Sequence, residues 1–132
     1  MYHPKTNEWD KKLKAICDRI DSWLEESYGS KYSLRPNRPE RGETANPEMD
    51  GLFNVQALFT PGYQSEMGRG YLIEIELSTL EDVDPVVEQE ILDLVLVRLK
   101  KEIKNEFPER LLEIGFDGNM IKIWGDLSLG FA

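Results

Sequence analysis

Three arginines, Arg35, Arg38 and Arg41, recur at a spacing of three in a stretch punctuated by prolines. Guanidinium groups hold phosphates and carboxylates through paired N–H donors, so three of them on one loop can clamp a small anion. The plainer reading is a solvated connector in which Glu40 and Glu43 dilute the charge. The densest carboxylate group is Glu81-Asp82-Val83-Asp84, with Glu88 one turn further on. Hard cations need several oxygens converging on one point, and carboxylate acid–base catalysis needs two groups in one cleft with their pKa values driven apart. Asp84 is better explained as a helix cap, with Asp82 and Glu88 as favourable charges near a helix N-terminus. No metal site and no catalytic residue is assigned.

The remaining candidates are weaker still. His3 stands beside Pro4 near a chain end, where a general base cannot be held in place. Cys17 is the single cysteine, next to Ile16, and reads as a small buried thiol; one cysteine excludes an intramolecular disulfide and a multi-cysteine zinc site. Asp117-Gly118-Asn119 is similar to a fragment of a calcium loop but lacks the other spaced ligands, so a plain turn is expected. Gly68-Arg69-Gly70 leads into a strand instead of opening a helix, unlike a dinucleotide fingerprint. No Gly-x-Ser-x-Gly elbow, phosphate loop or His-Glu-x-x-His segment occurs, and no cofactor is expected.

Composition narrows the classes. The chain has 132 residues and a net charge of −9, a length that suits one domain with one core. Nucleic-acid binding needs clustered basic residues and is not expected; basic protein partners suit this charge better. No apolar run reaches the ~20 residues that span a bilayer, and no apolar stretch follows the first positive charges, so neither membrane association nor a secretory signal is read. The cytoplasm is the expected location.

The elements follow from periodicity. Residues 8–28 form an apolar stripe of Trp9, Leu13, Ile16, Ile20, Trp23, Leu24 and Tyr28, a helix with Thr6 or Asn7 as cap and Gly29 as stop. Residues 29–50 keep no period and read as a long mobile loop. Residues 51–60 and 71–78 alternate with period two and pair as a hairpin with a floppy tip. Asp84 and Pro85 open a second helix, about 85–107, stopped by Phe107-Pro108. Its face of Leu92, Val95, Leu96, Leu99 and Ile103, widened by Val87, Ile91 and Leu94, is too broad for one sheet to cover; the first helix, or failing that a second subunit, is expected to cover the remainder. Strands 111–116 and 120–124 form a second hairpin. A turn at Asp117-Gly118 sets Ile114 against Ile121, Leu112 against Ile123 and Glu113 against Lys122, and is preferred over Gly118-Asn119 for that ion pair. In the tail, Leu127, Leu129 and Phe131 alternate, as a fifth strand or a segment docked on a partner.

The expected fold is α+β in two layers: a mainly antiparallel sheet of four or five strands with both helices on one face, in the order α-β-β-α-β-β. Alternation turns Asn54, Gln56, Glu74, Glu76, Glu113 and Lys122 to the bare face, together with Leu58, Leu72, Leu111, Met120 and Trp124. If contiguous, those five apolar residues are a contact surface for another protein or a second copy of the chain. In element order alone the chain resembles small acidic helix-and-sheet proteins that dimerise and hold other polypeptides, such as type III secretion chaperones. The resemblance implies a regulatory or chaperone-like binding module. The alternative is a small-molecule or enzymatic role at the arginine loop.

Overall fold

The computed structural model describes residues 4–63 and 66–125. Helix α1 (Pro4–Tyr28) and helix α2 (Pro85–Glu106) lie together over one face of a sheet built from β1 (Phe53–Thr60), β2 (Gly70–Leu77), β3 (Leu112–Asp117) and β4 (Met120–Gly125). The strand order is β1-β2-β4-β3 and every pairing is antiparallel. This is the two-layer α+β architecture that periodicity predicts. The tail strand at 127–131 and His3 lie outside the described residues.

Helix α1 begins a turn earlier than expected, at Pro4, so Thr6 and Asn7 sit within the helix and not at its cap. Proline suits a first turn because its missing N–H has no partner to lose there. The stripe is buried as its spacing requires: Trp9, Leu13, Ile16, Ile20, Leu24 and Tyr28 are all closed off, with Cys17 beside them. Gly29 N–H closes the helix on Glu25 O at 2.8 Å. A Cβ at Gly29 would meet that same carbonyl at 2.4 Å, so only glycine fits.

In α2, Asp84 Oδ1 accepts from Val86 N–H at 2.9 Å ahead of Pro85. Ile91, Val95, Leu99 and Ile103 face the core at four-residue intervals. The first helix lies alongside: Arg19 bonds Glu102 and Glu106, and the Arg98 guanidinium lies 5.3 Å from the Trp23 ring. The broad apolar face is not covered completely. Leu94 is 40% exposed and Val97 68%, because a helix laid between one sheet and one neighbour presents its remaining side to water.

The second hairpin takes the register that sequence reasoning set aside. Its turn is Gly118-Asn119, pairing Ile114 with Ile123, Phe116 with Ile121, Gly115 with Lys122 and Glu113 with Trp124. Gly118 has φ 65° while Asn119 is not among the positive-φ residues, the pattern of a two-residue turn with glycine first. Phe116 lies on the apolar face in either register; this one sets it opposite Ile121 instead of Asn119, whereas the Asp117-Gly118 turn would have gained one exposed ion pair. Such a pair contributes at most about 1 kcal/mol, and facing Phe116 with Ile121 offsets it by an aromatic–aliphatic contact across the strands.

Lys122 does turn to the face away from the helices, yet it is fully buried. Gly68, ahead of β2, lies over that face: Lys122 Nζ donates to its carbonyl oxygen, with Asp117 Oδ2 at 3.3 Å. Gly62, at φ 72°, approaches Gly68 so closely that a Cβ there would stand 1.9 Å from Gly68 O. The outer face is therefore roofed at its centre and open around it.

Gly118→Ala should cost about 1 kcal/mol, the penalty for a side chain at positive φ, while Asn119→Ala should cost less. Urea midpoints of the two variants check this, and equal losses would contradict the turn assignment.

Candidate functional site

The arginines are built into the fold by the helix beneath them. On α1, Asp21 and Glu25 stand one turn apart beside the apolar stripe and face the outer edge of β1. Glu25 accepts from Leu52 N–H at 3.1 Å and Phe53 N–H at 3.3 Å, and Asp21 Oδ2 from Val55 N–H at 3.3 Å. Arg41 then joins the carboxylates: Nη2 bonds Asp21 and, at 3.2 Å, Glu25, while Nη1 reaches Asp50 Oδ1 and Pro47 O, each at 3.0 Å. Asp50 in turn accepts from Gly42 N–H, Thr44 N–H and Thr44 Oγ1. Arg38 donates to the carbonyls of Gly51, Asp50 and Phe53 at 2.9–3.2 Å. Arg35 is fixed through its backbone, N–H to Ser78 O at 2.9 Å, and its side chain is exposed. The loop at 29–50 is thus pinned along its length, and two of its three arginines point into the protein.

This network has its own electrostatics. Burial pushes Asp21 up to about 6, against the lowering effect of Arg41. For Asp50 burial acts upward too, but donation from Thr44 and Gly42 and the Arg41 charge outweigh it and the pKa falls below the ordinary value. Burial opposes the Arg41 charge, and the carboxylates around it more than compensate.

The five apolar residues of the outer face are brought only partly together. Leu58 and Leu72 are directly opposed across β1 and β2. Leu72 faces Lys122 on β4, with Met120 and Trp124 two residues to either side. Trp124 lies across Gly115, whose Cβ position would be 3.2 Å from the indole Cη2. Leu111 stands apart before β3 and is 85% exposed.

A separate concavity lies at the far end of β2. Ladder pairing between β2 and β4 covers Tyr71, Leu72 and Ile73 and then stops, because β4 begins at Met120. Ser78 N–H bonds Leu52 O, so by alternation Glu74 and Glu76 direct their backbone groups to β1, while Ile75 and Leu77 direct theirs to the other side. There they meet no strand. The Leu77 carbonyl accepts from Thr79 N–H at 2.9 Å, which leaves Ile75 N–H, Ile75 C=O and Leu77 N–H along the gap. A cleft of about 880 Å³ opens at this edge, floored by Ile75, Leu77, Ile91 and Leu92, with Pro85, Asn119 and Met120 also lining it. Five carboxylates, Glu74, Glu76, Glu81, Asp82 and Glu88, line it, and no basic residue does. Glu81 accepts from Ser33 N–H; the other four make no ion pair among the described residues. Among those residues no group of three or more His, Cys, Asp or Glu side chains is placed to hold a metal ion.

The sequence reading missed both features. Polar residues at a four-residue interval beside an apolar stripe, Asp21 and Glu25, are a visible signal for an edge cap. The half-open strand left a fainter one: β2 has eight residues and its neighbour β4 only six.

A protein family described as "Uncharacterised protein" matches residues 4–125. The chain belongs to that family. It is similar to an "Uncharacterized protein" of Borreliella burgdorferi (strain B31), 45% identical over 121 residues that cover 92% of this chain and 94% of the relative. No solved structure matches. The matched region takes in both the pinned loop and the cleft.

Arg41→Ala leaves three carboxylates without their shared cation and should cost about 3–5 kcal/mol, the range for breaking a buried ionic group; chemical denaturation reads it, and a loss under 1 kcal/mol would contradict the network. For Asp21 the folded pKa lies above the unfolded value, so its contribution favours folding below pH ~4 and fades as pH rises through 6. The stability of the native protein relative to Asp21→Asn should therefore be greater at pH 4.5 than at pH 7. Denaturant titrations at both values decide this, and a constant difference would refute it. In hydrogen exchange, the amides of Ile75 and Leu77 should exchange at least tenfold faster than those of Glu74 and Glu76, which bond β1.

Proposed function

We propose that this protein is a non-catalytic binding module that holds another polypeptide, with the cleft beside β2 as its seat. The observation that carries the reading is the half-open edge of β2, where backbone donors and an acceptor face an apolar-floored cleft. A strand edge of this kind pairs with extended chain, and a small ligand has less use for it. Three backbone hydrogen bonds at about 1 kcal/mol each give roughly 3 kcal/mol, short of even millimolar affinity at about 4 kcal/mol. Contacts with Ile75, Leu77, Leu92 and Met120 therefore supply the remainder and the selectivity. The opposed pair Leu58 and Leu72, with Trp124 nearby, extends the surface available to a folded partner or to a second copy of the chain. A chaperone-like or regulatory role in the cytoplasm fits such a module.

A photo-cross-linking amino acid placed at Glu76 or Met120 tests this in cells that make the protein. The expected result is a discrete polypeptide adduct from both positions and none from Val97 on the outer side of α2. An adduct with a second copy would make the partner the protein itself. No adduct at either cleft position, with the variants folded, would overturn the reading.

A further inference from the structure

We infer that the polypeptide held at β2 is a basic, extended segment whose apolar and cationic residues alternate, added as a strand against Ile75–Leu77; the inference rests on the binding role proposed above. Its alternation follows from the sheet. On β2, Ile75 and Leu77 turn to the helix side, among Ile91 and Leu92 of α2, while Glu74 and Glu76 turn to the outer face. A strand laid beside β2 keeps this parity, because side chains of paired strands alternate in step. The residue opposite Ile75 therefore enters the apolar floor of the cleft. Its two neighbours emerge on the outer face beside Glu74 and Glu76, where Lys or Arg makes a favourable cross-strand pair.

Charge points the same way at every part of the rim. Glu74, Glu76, Asp82 and Glu88 lack a cationic partner among the described residues, and no Lys, Arg or His lines the cleft. An acidic segment would be repelled along its whole length, whereas a basic one relieves repulsion among the four carboxylates as it binds. The free backbone groups fix the register. Ile75 exchanges both its N–H and its C=O with one residue of the guest, and Leu77 N–H takes a carbonyl two residues away.

The test uses the full chain and short fluorescent peptides: alternating Lys and Val, alternating Glu and Val, and the Lys/Val peptide with alternate backbone nitrogens methylated. Fluorescence anisotropy at low salt should show binding of the Lys/Val peptide, at least tenfold weaker binding of the Glu/Val and methylated peptides, and at least tenfold loss in 0.5 M salt. Amide exchange at Ile75 and Leu77 should slow at least tenfold with the Lys/Val peptide bound, while Glu76→Lys weakens that binding by a similar factor. Equal binding of the Glu/Val peptide overturns the charge assignment. Binding without protection of Ile75 and Leu77 overturns strand addition. No peptide binding, together with a photo-adduct from Glu76, overturns this inference and leaves the polypeptide-binding role standing. Absence of both overturns both.

Discussion

One guanidinium organises half of the molecule. Arg41 stands among Asp21, Glu25 and Asp50; Asp21 and Glu25 also accept backbone N–H groups from residues 52–55, and Asp50 accepts them from Gly42 and Thr44. Helix α1, the long loop and the outer edge of β1 thereby share one hydrogen-bonded cluster. Without the cation, three negative groups would face one another with little water to screen them. Without the carboxylates, the N–H groups of Leu52, Phe53 and Val55 would lose their acceptors at the sheet margin. The arrangement also blunts an edge strand. A foreign chain cannot pair with β1 at Phe53 or Val55, since side chains of its own helix already occupy those N–H groups.

The start of β1 and the end of β2 lie side by side, Phe53 opposite Leu77, yet their free edges are finished differently. At the start of β1 the backbone is answered by α1. Along Ile75–Leu77 it meets no strand, because the register sets Met120, the first residue of β4, opposite Glu74. The chain between β2 and α2 does not fill that space. Asp84 is held to α2 as its cap, and Glu81 turns back to Ser33. A cleft with an apolar floor and a carboxylate rim is what remains.

Much of the fold was legible in the sequence because it depends on burial alone. The period of two in 71–77, the stripe of α1 and the Asp84-Pro85 start each have one good solution, and the structure adopts it. The hairpin turn is less legible because two registers turn the same apolar residues inward, and the Glu113–Lys122 pair favours the one that leaves Phe116 opposite Asn119 instead of Ile121. Lys122 itself was assigned to the correct face but not to the correct environment, since no local pattern reports that Gly68 will fold back over it. The site was less legible still. Arg38 and Arg41 were recognisable as groups seeking oxygens, but those oxygens come from Asp21, Glu25 and the backbone at 50–53, which only tertiary folding brings near. A strand edge left unpaired is a relation between two distant segments, and neither carries it alone.

The glycine opposite Lys122 has a consequence for how the protein can be observed. With no side chain at Gly115, the indole of Trp124 spreads across the outer face and stays partly exposed, while Trp9 is sealed in the core at 3% exposure. Trp23, half-buried against Arg98, reports on the seam between the helices. The three indoles thus divide the protein optically into interior, seam and outer surface. Emission colour and quencher access at Trp124 then register events on that surface without any attached dye.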